Sequence, residues 1–153
     1  MKYGSLVLEK NEFLMIKDYL ETNVTIEDYA HKNTLEILHQ NMSTAMLFET
    51  EDIPFDIIKI YSFIKLAGTS GIRQTFQLVA PNEVNIQENK ISIVSSLGAS
   101  VIGRAEGDKI TYGLPGDVIS LIIEKVKQSK EVDNAATTTP TINKRKPKKL
   151  KTY

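Results

Sequence analysis

Few residues in this chain have the type and spacing that chemistry requires, and the first to weigh are the neighbouring acids Glu27 and Asp28. Carboxylates hold a divalent cation when their oxygens converge on it. At a helix start, however, adjacent residues point about 100° apart, which makes them a poor metal pair. Attraction to the positive end of the helix explains both acids without chemistry. His31 and His39 lie eight residues apart, roughly 12 Å along a helix. They are too distant to share an ion and read as surface or partly packed side chains. Gly68-Thr69-Ser70-Gly71 lacks the lysine and the spacing of a phosphate loop. No Ser/His/Asp set or acid pair presents itself. No catalytic residue, metal site or cofactor is therefore assigned. The remaining candidates are basic: Lys144, Arg145, Lys146, Lys148 and Lys149. They could make a weak, salt-dependent contact with nucleic-acid phosphates, or simply keep the chain soluble.

The elements around these residues follow from hydrophobic spacing. After the apolar lead-in Ser5-Leu6-Val7-Leu8, the pattern turns helical from about Glu9. Phe13, Ile16, Tyr19 and Leu20 share a stripe, with Glu12, Lys17 and Asp18 outside it. Glu21-Thr22-Asn23 ends that helix. Thr25, with Asp28 three residues on, can cap a second helix over Ile26 to about Met46. Its inward set is Leu35, Leu38, Met42 and Ala45. A short polar link between two helices predicts an antiparallel hairpin with its tip near Glu27 and Asp28. Its arms reach roughly 18 Å and 30 Å.

Phe48 to Asp56 is an acidic connector in which Pro54 bars a continuous helix. Strands are expected over Ile57–Leu66, Arg73–Ala80, Lys109–Leu114 and Val118–Val126. Ile91 to Val94 alternates as a half-buried strand, and Ser95-Ser96 can cap a short helix over Leu97–Gly103. Beyond Gln128 the hydrophobic pattern ends, which predicts a disordered basic tail. The domain plan is a helical hairpin over residues 1–50, a sheet domain over 51–128 and a tail over 129–153.

Bulk properties agree with a modest α+β protein. The 153 residues are 41% hydrophobic, enough for one core. There is no cysteine, which excludes disulfides and thiolate metal sites. With no run of 18 apolar residues and no signal-like start, the expectation is a cytoplasmic monomer without a membrane partner. The zero net charge hides segregation. Residues 1–128 hold 12 Lys/Arg against 17 Asp/Glu, and residues 129–153 hold 7 against 2. Asp18 to Asp56 alone holds nine acids and one lysine. That is a solvated face, or a complement to a basic partner that mostly raises the association rate.

The stretch SSLGASVIGRAEGDKITYGLPGD, Ser95 to Asp117, carries more information than its elements. Leu97, Gly98, Ala99, Ile102, Gly103, Gly107, Asp108, Leu114, Pro115 and Gly116 stand at the fixed spacings of the Gre-factor C-terminal domain. The chain is similar to that family. One departure is Asp117, where the family often has a second glycine. A second segment, Glu51 to Leu66, resembles the branch called regulator of nucleoside diphosphate kinase (Rnk), matching at Pro54, Asp56, Ile57, Ile58 and Ser62.

The resemblance implies an FKBP-like antiparallel sheet domain with one short helix, docked at the rim of the RNA polymerase secondary channel. It also implies a hairpin directed into that channel. Leu97, Gly98, Asp108, Leu114, Pro115 and Gly116 would shape the docking surface. Cleavage-stimulating members hold a second Mg²⁺ in the polymerase active centre with acids at the hairpin tip. Aligned on Tyr29, those positions fall at Thr22 and Thr25, which offer no carboxylate. The expected function is thus a non-enzymatic transcription regulator of the Rnk kind. The alternatives are an active cleavage factor and an interaction module for another partner. An FKBP-like fold also raises prolyl isomerisation, but no tryptophan or aromatic pocket supports it.

Overall fold

In the computed structural model, residues 1–22, 29–68, 71–114 and 116–129 are described. The chain opens with a short strand, β1 (Val7–Glu9), and helix α1 (Lys10–Thr22), then helix α2 (Tyr29–Met42) and strand β2 (Met46–Phe48). The lead-in that looked merely apolar is thus a strand, pairing in parallel with β2 through Val7–Met46, Leu8–Leu47 and Glu9–Phe48. The second helix is shorter than the expected span, ending at Met42 where Ser43, Thr44 and Ala45 form a turn on the preceding carbonyls.

A five-stranded sheet follows, built from β3 (Phe63–Gly68), β4 (Arg73–Val79), β5 (Lys90–Ser92), β6 (Lys109–Leu114) and β7 (Asp117–Lys127). Its order is β5-β4-β3-β7-β6, antiparallel except for the β4–β5 pair. Between β5 and β6 stands the short helix α3 (Ser96–Val101). The fold is mixed α+β with an antiparallel-rich sheet.

The expected strand over Ile57–Leu66 begins only at Phe63. Ile57 and Ile58 are buried but pair elsewhere: Ile57 bridges Ala105, and the Ile58 amide donates to the Arg104 carbonyl. Tyr61 then adopts φ 72°, which no strand residue does. Its amide donates to the Leu78 carbonyl, and its hydroxyl donates to Glu83 at 2.7 Å. That bond holds the phenol proton, moving its pKa up to about 12. Tertiary bonds therefore override the β propensity of the segment.

One buried cluster joins both halves of the chain. It takes Leu6, Leu8, Ile16, Leu35, Leu38 and Met42 from the N-terminal region. The remainder of the chain supplies Ile58, Ile64, Leu66, Phe76, Leu78, Ile93, Ile102 and Ile123. The expected inward residues of both helices face this core. Ile16, Leu35, Leu38 and Met42 are fully or nearly fully buried, and Phe13, Tyr19, Leu20 and Ala45 pack against them.

Glu12 was expected outside and lies inside, with no exposed surface. One carboxylate oxygen accepts the Ile60 amide at 2.6 Å, and the other accepts the Glu9 amide at 3.3 Å. Glu12 occupies the third position of α1, so the second bond is half of a capping box. The first ties α1 to the segment that replaces the expected strand. Burial raises the Glu12 pKa to about 7, the two amides opposing that rise.

Candidate docking surface

The Ser95–Asp117 stretch is shaped by a few exacting contacts. Ser95 caps α3: its hydroxyl oxygen accepts the Gly98 amide at 3.1 Å and donates to the Ser92 carbonyl at 2.7 Å. Gly98 sits so close to strand β5 that a Cβ would stand 2.0 Å from the Ser92 carbonyl oxygen. Only glycine fits there. At the other end of α3, the Gly103 amide donates to Ile58, and its carbonyl accepts the Val7 amide. The stretch thereby knits the N-terminal strand to the sheet domain.

Asp108 is buried, and both carboxylate oxygens are used. One accepts the Lys2 amide at 2.8 Å and the other the Ala105 amide at 2.9 Å. Its place is that of a turn anchor. Asp56, in the segment that resembles the Rnk branch, is held by the Lys2 ammonium and the Tyr3 hydroxyl. Partial burial works to raise its pKa, but those two donors outweigh it and hold the carboxyl below its ordinary value.

The surface these residues build is a projecting ribbon. β7 pairs with both β3 and β6 at Leu121 and Ile122 and with β3 alone beyond them, whereas Asp117–Ser120 pairs with β6 alone. The β6–β7 hairpin therefore runs past the sheet, with Gly116 at φ 88° in its turn. Val118 and Ile119 point to opposite faces, yet are 52% and 49% exposed. Neighbouring apolar side chains thus stand in water on both faces of one ribbon, which makes it the candidate contact surface. Sequence reasoning assigned Val118–Val126 to a closing strand and missed this. The clue was that the run VISLII is apolar on both faces.

The other expected site residues divide plainly. Gly98 and Asp108 are internal, Leu97 packs partly against the core, and Gly116 is exposed. Leu114 ends β6. Pro115, Glu27, Asp28, Thr25 and the basic residues Lys144, Arg145, Lys146, Lys148 and Lys149 lie outside the described residues. Thr22 closes α1, its hydroxyl donating to the Asp18 carbonyl at 3.0 Å. His31 meets the Val94 carbonyl at 2.8 Å through Nε2, and His39 is exposed. Among the described residues there is no group of three or more His, Asp or Glu arranged for a metal ion. None of their helices is long and apolar enough to cross a membrane.

Comparison with known proteins agrees with this architecture. Residues 53–128 match the family described as transcription elongation factor GreA/GreB, C-terminal. Residues 53–128 belong to the GreA/GreB family. Transcription elongation factor GreA of Syntrophus aciditrophicus is 33% identical over 85 residues, covering 55% of this chain and 53% of that protein. The regulator of nucleoside diphosphate kinase of Escherichia coli K12 is 28% identical over 91 residues, covering 59% of this chain and 67% of its own. The chain thus spans about half the length of that GreA. In fold, it is similar to a GreA/GreB transcription elongation factor from Nitrosomonas europaea, with a TM-score of 0.64 at 23% identity. That match covers 80% of this chain and 98% of the other.

Gln128 is a further residue that sequence reasoning passed over. Its amide nitrogen donates to the carbonyls of Phe55 (3.0 Å) and Ile57 (2.8 Å), and its oxygen accepts the Ser62 hydroxyl at 2.8 Å. It clasps the end of β7 to the connector. Contacts between residues so far apart in the chain leave no local signal.

Proposed function

We propose that this chain is a non-enzymatic, cytoplasmic transcription regulator of the Rnk kind, which binds bacterial RNA polymerase near the secondary channel. The division follows the domain plan: helices over residues 1–50, an FKBP-like docking domain over 51–128 and a basic tail over 129–153. The docking domain presents the β6–β7 ribbon to the polymerase, with Leu97, Gly98, Asp108, Leu114, Pro115 and Gly116 setting its shape. Glu27 and Asp28 approach the channel from the hairpin tip. The tail adds a weak nucleic-acid contact.

The observation that carries this reading is the length of the helices beside a GreA/GreB domain. With 13 and 14 residues, α1 and α2 each span roughly 20 Å. Their apolar faces are spent on the shared core. So short a pair, with threonines where cleavage factors carry acids, supports binding without delivery of carboxylates to a distant metal. Such a protein occupies the entrance and competes with cleavage factors for it.

The test uses backtracked transcription complexes in Mg²⁺. Addition of the protein releases no short RNA 3′ fragments, and it slows their release by an added cleavage factor. Fragment release by this protein alone, abolished by Glu27→Ala with Asp28→Ala, would overturn the reading in favour of an active cleavage factor.

A further inference from the structure

A cleft of about 240 Å³ opens between α2, α3 and β6. Its floor is apolar, formed in part by Leu38 and Ile110. Its polar wall brings together Asn41, Ser100, Arg104 and Lys109, and no acidic residue lines it.

Arg104 is the unusual member. It is half-buried, and burial depresses its pKa against an opposing pull from Asp108. Its Nε donates to the Ser100 carbonyl at 2.9 Å, which fixes the guanidinium plane. Among the described residues Arg104 makes no ion pair, and the oxygens of Asp108 accept the Lys2 and Ala105 amides. Lys109 likewise makes no ion pair among those residues. The Ser100 hydroxyl already donates to the Ser96 carbonyl. The donors left lining the cleft are thus two cations, the Asn41 amide and the Thr111 hydroxyl. A partly desolvated guanidinium that makes no ion pair is costly, and an anion that fills the cleft relieves that cost.

We infer that this cleft binds a small organic anion, with a phosphate or carboxylate on Arg104 and Lys109 and a compact apolar body over Leu38 and Ile110. The volume lies below the usual range for drug-sized ligands. It suits a body of one ring, such as an aryl or sugar phosphate. Planar, forked donors favour a two-oxygen anion over a halide. Occupancy would brace α2 against α3, and with it the N-terminal helices against the sheet domain.

The experiment is an amide NMR titration of the full chain with phenyl phosphate, with inorganic phosphate and phenol as separate controls. Phenyl phosphate up to about 10 mM should give saturable shifts at residues 34–41 and 100–111. Inorganic phosphate should bind the same residues more weakly, and phenol should not shift them. Lys109→Ala, at an exposed position that leaves the fold intact, and Arg104→Gln should each weaken binding about tenfold, as loss of a charge-assisted contact implies. No saturable shift in the cleft would overturn the inference. So would shifts confined to the basic tail, equal binding of phenol, or full affinity in Lys109→Ala. None of these outcomes depends on polymerase binding.

Discussion

Replacing Glu12 with glutamine tests the coupling between α1 and the sheet domain most sharply. The native carboxyl holds its proton up to about pH 7, whereas an ordinary glutamate releases it near 4.5. Between those values the folded state binds more protons than the unfolded chain, so stability falls as pH rises. The contribution is fully present below pH 4.5 and is lost through about pH 7. At 1.36 kcal/mol per pH unit the gap amounts to about 3 kcal/mol. Glu12→Gln removes this titration but keeps the side-chain volume, and one of its two amide contacts must weaken, costing about 1 kcal/mol. The variant should therefore be less stable than the parent at pH 5 and equal to it or more stable at pH 8. Urea unfolding of both chains at half-unit pH steps measures the difference, which cancels the histidines and every other common group. A difference that stays flat from pH 5 to 8 would refute both the burial of this charge and the reasoning built on it.

Four further outcomes follow from particular contacts. Gly98→Ala places a methyl group into the Ser92 carbonyl and should cost about 3 kcal/mol or prevent folding, read by thermal unfolding. Gln128→Ala strands the Ser62 hydroxyl and the carbonyls it clasps; a loss of about 1 to 3 kcal/mol is expected in the same assay. Val118→Asp with Ile119→Asp leaves the core untouched, since both side chains are half exposed. That variant should unfold like the parent while binding polymerase about tenfold or more weakly. Truncation after Ser129 should leave polymerase binding in place and reduce only its salt-sensitive part, as measured by retention at rising salt.

Local signals were legible where neighbouring residues decide the outcome. Ser95 announces the α3 cap by type and position, and Lys109–Leu114 forms the strand expected there. The helical stripe through Ile16 was also legible, and its spacing placed Glu12 one turn earlier on the same face. The charge of Glu12 argued it outward, because sequence does not show the Ile60 amide waiting for an acceptor. The break at Tyr61 was hidden for a similar reason. A β-branched, aromatic run reads as strand until distant partners, here Leu78, Glu83 and Arg104, claim its backbone and side chains. The projecting ribbon escaped notice because strand pairing, rather than apolar content, decides where β7 leaves the sheet.

The central claim is that this chain docks on RNA polymerase through the β6–β7 ribbon. Its most direct test is co-purification of purified polymerase with the immobilised full chain at low salt, run beside Val118→Asp with Ile119→Asp and the truncation after Ser129. Retention by the full and truncated chains, with loss in the ribbon variant, is the predicted result. Failure of the full chain to retain polymerase, or retention that disappears only on removing the tail, would contradict it.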